Sequence, residues 1–130
     1  GQHSGSPSAT RRVQPLVIGD GAFLMTISEL ETTAREGIPL VIVLMNDCAY
    51  GAELHHLKNA GMPVATSLFS DVDFGPVAEA FGFQCATVRS LAELRALAPL
   101  LGAPDGPLLI DCKINGTVAA GFLQELAIKR

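Results

Sequence analysis

The chain has no tryptophan and one tyrosine, and aromatic residues make up only 5% of its 130 positions. Its core must therefore be built from aliphatic side chains. Charge is scarce as well: 17% of residues are Asp, Glu, Lys or Arg, with a formal net charge of −4. The nine basic residues are scattered, so the electrostatic footprint of a nucleic-acid surface is missing. No apolar run reaches the roughly 18–20 residues that a membrane span requires. The polar N-terminus lacks the apolar segment of a secretory signal. Cys48, Cys85 and Cys112 form neither a CxxC pair nor an even framework. Reduced thiols and a cytoplasmic location are the expectation. Neither GxGxxG nor GxxxxGK[ST] occurs, which argues against an unrelated nucleotide-binding domain.

What the chain does have is hydrophobicity: 48% of residues, with a mean hydropathy of +0.36. That is high for a single domain of this length. It implies a sheet buried on both faces and an apolar surface that meets another domain.

Residues 1–14 read as an unstructured lead-in, part of it a cloning remnant, and 15–130 as one domain. Leu16-Val17-Ile18 is a short strand stopping at Gly19-Asp20-Gly21. Thr26 to Glu36 reads as a helix ended by Gly37 and Pro39. Pro39 to Met45 is a continuous apolar run, the pattern of a strand covered on both faces. A loop from Asn46 to Gly51 leads to a short helix, Ala52 to Asn59. Asp73 is positioned to cap a helix from Phe74 to Phe81, closed by Gly82. A strand covers Gln84 to Val88. Ser90, with Glu93 three residues on, forms a capping box for a helix to Leu101. Pro107 to Ile114 is a last strand, and Ala119 to Lys129 a final helical segment. This alternation predicts a three-layer α/β/α domain with a mostly parallel sheet. Met25, Met45, Cys85 and Cys112 read as core residues.

In such sheets ligands bind beyond the carboxyl ends of the strands. Gly19-Asp20-Gly21 and Asn46-Asp47 both stand there, separated by residues 22–45. Glycines flanking Asp20 allow a sharp turn and close approach of a ligand. A carboxylate there can hold a hard cation, while N–H groups of the following helix face phosphate oxygens. Asp47 offers a second oxygen and the Ala49 carbonyl a third. Magnesium keeps few protein ligands and takes the rest from phosphates and water. A lone GDG would be read as a turn aspartate; the joint pattern is what gives the site its specificity.

From Ile18 to Gly51 the sequence resembles the signature of thiamine-diphosphate enzymes of the acetolactate synthase, benzoylformate decarboxylase and pyruvate decarboxylase superfamily. The likeness extends to Phe23-Leu24-Met25-Thr26, Glu29-Leu30, Ile38-Pro39 and Asp73–Gly82, and covers Leu16 to Ile114. The resemblance implies the diphosphate-binding fold, shortened at its N-terminus because the Gly/Ala-rich helix before the GDG strand is missing. It implies thiamine diphosphate and Mg2+ as cofactors, with Asp20, Asp47 and the Ala49 carbonyl as metal ligands. Gly19, Gly21 and Ala22 would line the diphosphate, and Tyr50, Gly51 and Ala52 continue the loop over it. Asp47 stands where the family usually has Asn, which adds negative charge beside a diphosphate. Glu53, His55 and His56 follow the loop, where family members place substrate-contacting side chains; for the two histidines an exposed helix or interface position is the plainer reading. Glu29 and Glu31 belong to a solvated or partner-facing helix surface. Cys48 fills the loop, since magnesium does not favour thiolate.

The resemblance further implies a 2-oxo acid substrate, decarboxylated or ligated, and a homo-oligomeric assembly. It also implies a separate pyrimidine-binding domain or subunit supplying the activating glutamate. No catalytic residue is assignable in this chain, which alone is expected to be inactive. The rival expectation is a catalytically silent binding or assembly module with the same fold.

Overall fold

Four apolar segments become the strands of one sheet in the computed structural model, which describes residues 12–121. They are β1 (Gln14–Gly19), β2 (Leu40–Asn46), β3 (Gln84–Val88) and β4 (Leu108–Lys113). Their spatial order is β1-β2-β4-β3, and every pairing is parallel. β1 already begins at Gln14, opposite Leu40, one residue inside the expected lead-in.

The period-2 geometry of the central strands sorts their side chains into two cores. Ile42, Leu44 and Leu109 face one side with Phe23, Leu30, Phe74, Ala78 and Phe83. Val41, Leu108, Ile110 and Cys112 face the other, against Val88 and the half-buried Leu94, Leu97, Leu100 and Leu101. Helices thus cover both faces, as a three-layer domain requires. They do not cover them equally. β1 is an edge strand with Leu16 and Val17 exposed, the latter at 67%.

Several helices differ from their expected spans. The stretch from Asp20 forms two short helices, α1 (Asp20–Thr26) and α2 (Glu29–Arg35), where one from Thr26 to Glu36 was expected. The Thr26 hydroxyl donates back to the carbonyls of Ala22 and Phe23, competing with the helix ladder at the break. α2 ends on Gly37 at φ +59, a conformation that favours glycine. α3 (Gly51–Asn59) and α4 (Phe74–Ala80) lie where expected.

The helix after Ser90 splits into α5 (Leu91–Ala96) and α6 (Ala98–Gly102). Pro99 in the first turn of α6 lacks the N–H that a continuous helix would need. The capping box is present in altered form. Ser90 Oγ accepts from the Glu93 N–H at 3.2 Å, and Glu93 Oε2 accepts from the Arg89 N–H rather than that of Ser90. Ser90→Ala is expected to cost about 1 kcal/mol in a urea melt. Of the final expected helix, Ala119 to Lys129, residues 122–129 lie outside the described residues.

Candidate functional site at the carboxyl ends of β1 and β2

β1 and β2 are adjacent and in register, Gly19 opposite Met45. Their carboxyl ends therefore deliver Asp20 and Asn46-Asp47 to one place. Gly19, Asp20, Gly21, Ala22, Asp47, Ala49, Tyr50, Gly51 and Ala52 all line a single cleft of about 410 Å³. Met25, Met45, Glu53 and Ile114 complete its wall.

Asp20 is the first residue of α1 and is only 2% exposed. The Gly21 N–H donates to its Oδ1 at 3.0 Å, and the Cys48 N–H also points to it. Burial raises its pKa above the usual carboxylate range, and the neighbouring Asp47 charge raises it further. Two carboxyls crowded in this way suit a cation between them.

The loop after β2 is shaped by a contact that spacing could not reveal. The Tyr50 N–H donates to the Ser67 carbonyl at 2.9 Å, and the Phe69 N–H to the Cys48 carbonyl at 2.7 Å. The result is an antiparallel bridge between Ala49 and Leu68. In such a pair the N–H and C=O of Ala49 itself point away from Leu68. Cys48 takes φ +59 to make this turn, the single non-glycine residue with positive φ among those described. Its thiol lies within 3.7 Å of Asn46 Oδ1 and 3.6 Å of Asp71 Oδ1, so it serves the loop.

Gly21 also meets a packing constraint that spacing could not reveal. Neither it nor Gly19 has positive φ. A Cβ at Gly21 would lie 2.6 Å from Tyr50 Cδ1, whereas one at Gly19 would meet nothing within 4 Å. Gly21 makes room for the Tyr50 ring, which packs edge-on to Phe69 at 4.6 Å. Gly19 leaves open space. Gly51 lies tight against Asp47, where a Cβ would be 2.6 Å from Oδ2.

Two expected core residues are in fact rim residues. Met25 is 70% exposed and Met45 is 36% exposed. Both line the cleft at the carboxyl edge of the sheet. Cys112 is buried, while Cys85 is half-buried, its thiol pushed up to about 11 chiefly by burial. Glu29 and Glu31 are exposed, the latter paired with Arg35. Glu53 and His56 line a neighbouring surface cleft with Tyr50, and His55 is half-buried.

Asp73 does not cap α4 with its side chain. Asp111 of β4 takes that place, accepting from the Phe74 N–H at 3.1 Å, while Asp73 pairs with Lys113 at 3.0 Å. Lys113 also holds Asp71 at 2.6 Å and the Val72 carbonyl at 2.8 Å. Burial pulls the Lys113 ammonium down, but its hydrogen bonds to Asp71 and Asp73 outweigh that and leave its pKa raised. Asp111 and Lys113 went unnoticed in the sequence. The available signal was a carboxylate inside the apolar run PLLIDCKI.

A parallel three-layer sheet with carboxylates at two adjacent strand ends defines an α/β domain that binds its ligand at those ends. The family comparison gives that class its member. Residues 8–112 match the family described as thiamine pyrophosphate enzyme, C-terminal TPP binding domain, and the chain belongs to that family. It is 32% identical over 100 residues to an acetolactate synthase of Bacillus subtilis, covering 76% of this chain and 17% of that protein. It is 29% identical over 112 residues to a 3D-(3,5/4)-trihydroxycyclohexane-1,2-dione hydrolase of Geobacillus thermodenitrificans, covering 75% of this chain and 18% of that one. Among solved structures it superposes with a TM-score of 0.71 on the thiamine diphosphate-dependent 4-hydroxybenzoylformate decarboxylase of Rhodococcus jostii RHA1. That match has 29% identity and covers 80% of this chain and 20% of the other. The chain thus spans less than a fifth of the length of these curated relatives. No helix among the described residues is long and apolar enough to cross a membrane.

Proposed function

We propose that the cleft holds the diphosphate of thiamine diphosphate through one magnesium ion, bound by Asp20, Asp47 and the Ala49 carbonyl. The observation that carries this reading is the convergence of Asp20 and Asp47 in one cleft, close enough for the Asp47 charge to disfavour ionisation of Asp20. The donor set fits. It is all oxygen, small in number, and open to phosphate and water, as magnesium requires. Among the described residues no three His, Cys, Asp or Glu side chains gather into a metal cluster. The open space beside Gly19 and the exposed Ala22 leave room for phosphate oxygens.

Bound thiamine diphosphate supplies an electron sink for making or breaking a bond beside a carbonyl. This chain's residues contribute by holding its diphosphate end and closing the loop at Tyr50. The names of the acetolactate synthase and decarboxylase relatives favour 2-oxo acids as substrates, decarboxylated or ligated. The exposed Val17, Met25 and Met45 support a partner surface. A pyrimidine-binding domain carrying the activating glutamate is the partner proposed there, within a homo-oligomer.

Asp47 is the departure with a measurable consequence. Asp47→Asn keeps an oxygen ligand and removes one negative charge beside the diphosphate. Thiamine diphosphate is expected to bind more tightly, and at lower magnesium, in calorimetric titrations run across a magnesium series. Weaker binding by Asp47→Asn would contradict the charge argument.

The activity itself is tested by adding a pyrimidine-binding domain and measuring carbon dioxide released from aliphatic and aromatic 2-oxo acids. Release that requires Asp20 supports the reading. Magnesium-dependent binding with no turnover of any 2-oxo acid would instead favour a silent module.

A further inference from the structure

Beneath the cleft lies a polar network that no ligand contact explains. Along β4, Leu109, Asp111 and Lys113 share one face, so an apolar core position is followed by an acid and then a base. Asp111 is fully buried in this central strand. Both its oxygens are engaged: Oδ1 accepts from Asn46 Nδ2 at 3.0 Å, and Oδ2 accepts from the Phe74 N–H at 3.1 Å. Lys113 Nζ stands 3.8 Å from Oδ2.

The Asn46 side chain is held at every polar atom. Its second amide hydrogen goes to the Val72 carbonyl at 3.1 Å, and its Oδ1 lies 3.7 Å from Cys48 Sγ. No buried side-chain polar atom among the described residues lacks a partner. Burying a carboxylate here is costly, and an aliphatic residue would pack at that depth without the cost. What the carboxylate achieves is orientation. It fixes Asn46 in one rotamer, and the next residue is Asp47. Through Phe74 and Lys113 it also gathers residues 71–74, the continuation of the segment whose Leu68 is bridged to Ala49.

We propose that Asp111 is a positioning residue for the Asp47–Ala49 loop, acting through Asn46. This rests on the magnesium-diphosphate reading for its consequence, but the mechanical claim stands apart from it. Groups that orient metal ligands typically change metal affinity by roughly 10- to 100-fold when replaced.

The test uses Asp111→Asn in the full chain, which turns one acceptor into a donor facing either Asn46 or Phe74. Two readouts are needed. Hydrogen exchange should quicken at the Cys48 to Gly51 amides while those of β1 and β3 keep their wild-type rates. Magnesium-dependent affinity for thiamine diphosphate, measured well below the melting temperature, should fall by roughly 10- to 100-fold. Exchange that rises uniformly, or loop amides that do not change, would overturn the positioning role. So would unchanged affinity in a variant that has merely lost stability. If Asp111→Asn does not fold, Asn46→Ser carries the same two readouts, since it leaves Asp111 held by Phe74 and Lys113. If the wild-type chain binds no diphosphate, the magnesium reading fails and the exchange pattern alone decides the positioning role.

Discussion

Replacing Asp20 by alanine is expected to abolish magnesium-dependent binding of thiamine diphosphate while raising the melting temperature of the metal-free protein. The two effects share one cause. Asp20 is nearly inaccessible, and its carboxyl sits beside that of Asp47. Without a cation, both burial and the neighbouring charge disfavour its ionised form. Its folded pKa is raised above the unfolded value, so at neutral pH ionisation penalises the folded state. The penalty lifts as pH falls through the folded pKa. Alanine removes the penalty at any pH. In a domain of about this size each kcal/mol recovered adds about 4 °C to Tm.

The binding loss should exceed that for a group that only orients a ligand, so a fall of more than about 100-fold is expected. The same sign predicts that magnesium stabilises the wild-type chain most at neutral pH. Its increment should shrink on acidification, as Asp20 is protonated. Calorimetry and thermal melts of wild type and Asp20→Ala at pH 7 and under acid conditions check all three expectations. A variant that melts lower and binds as well would place the cation elsewhere.

Gly21→Ala is expected to damage both stability and binding. The added Cβ would lie 2.6 and 2.7 Å from Cδ1 and Cε1 of Tyr50 and 3.5 Å from the Phe69 ring. Tyr50 cannot simply retreat, because Phe69 is packed edge-on against it and its N–H is bonded to Ser67. Overpacking of this kind costs about 1–3 kcal/mol. Relief requires the loop bearing Asp47 and Ala49 to shift. A denaturant melt should show the loss of stability, and titration a weaker magnesium-dependent affinity. Gly19→Ala is the contrast, since its Cβ meets no protein atom. It should leave stability nearly unchanged and lower affinity only if phosphate approaches there. A Gly21→Ala protein as stable as wild type would show that Tyr50 is not held as described.

These two glycines mark how far the sequence could be read. The four strands, their parallel pairing and the meeting of Asp20 with Asp47 follow from hydrophobic runs and from carboxylates at strand ends, whereas the order β1-β2-β4-β3 does not. Those are local patterns, and β3 falls at its expected residues, Gln84–Val88. What the sequence hid depends on contacts between distant segments. Tyr50 explains Gly21, and the residue 67–69 segment explains the turn at Cys48; neither leaves a trace in spacing. Met25 and Met45 read as core because they are apolar at the right period, yet they line the wall of the open cleft. Asp73 looked like a cap because an acid precedes a helix. The cap came instead from Asp111, 37 residues away in sequence.

The central claim is that Asp20 and Asp47 form a magnesium site for a diphosphate. Calorimetric titration of the chain with thiamine diphosphate, with magnesium and then with the metal chelated, tests it most directly. Saturable binding that appears only with magnesium, and is lost in Asp20→Ala, is the predicted result. Binding of equal strength in chelator, or retained by Asp20→Ala, would contradict it.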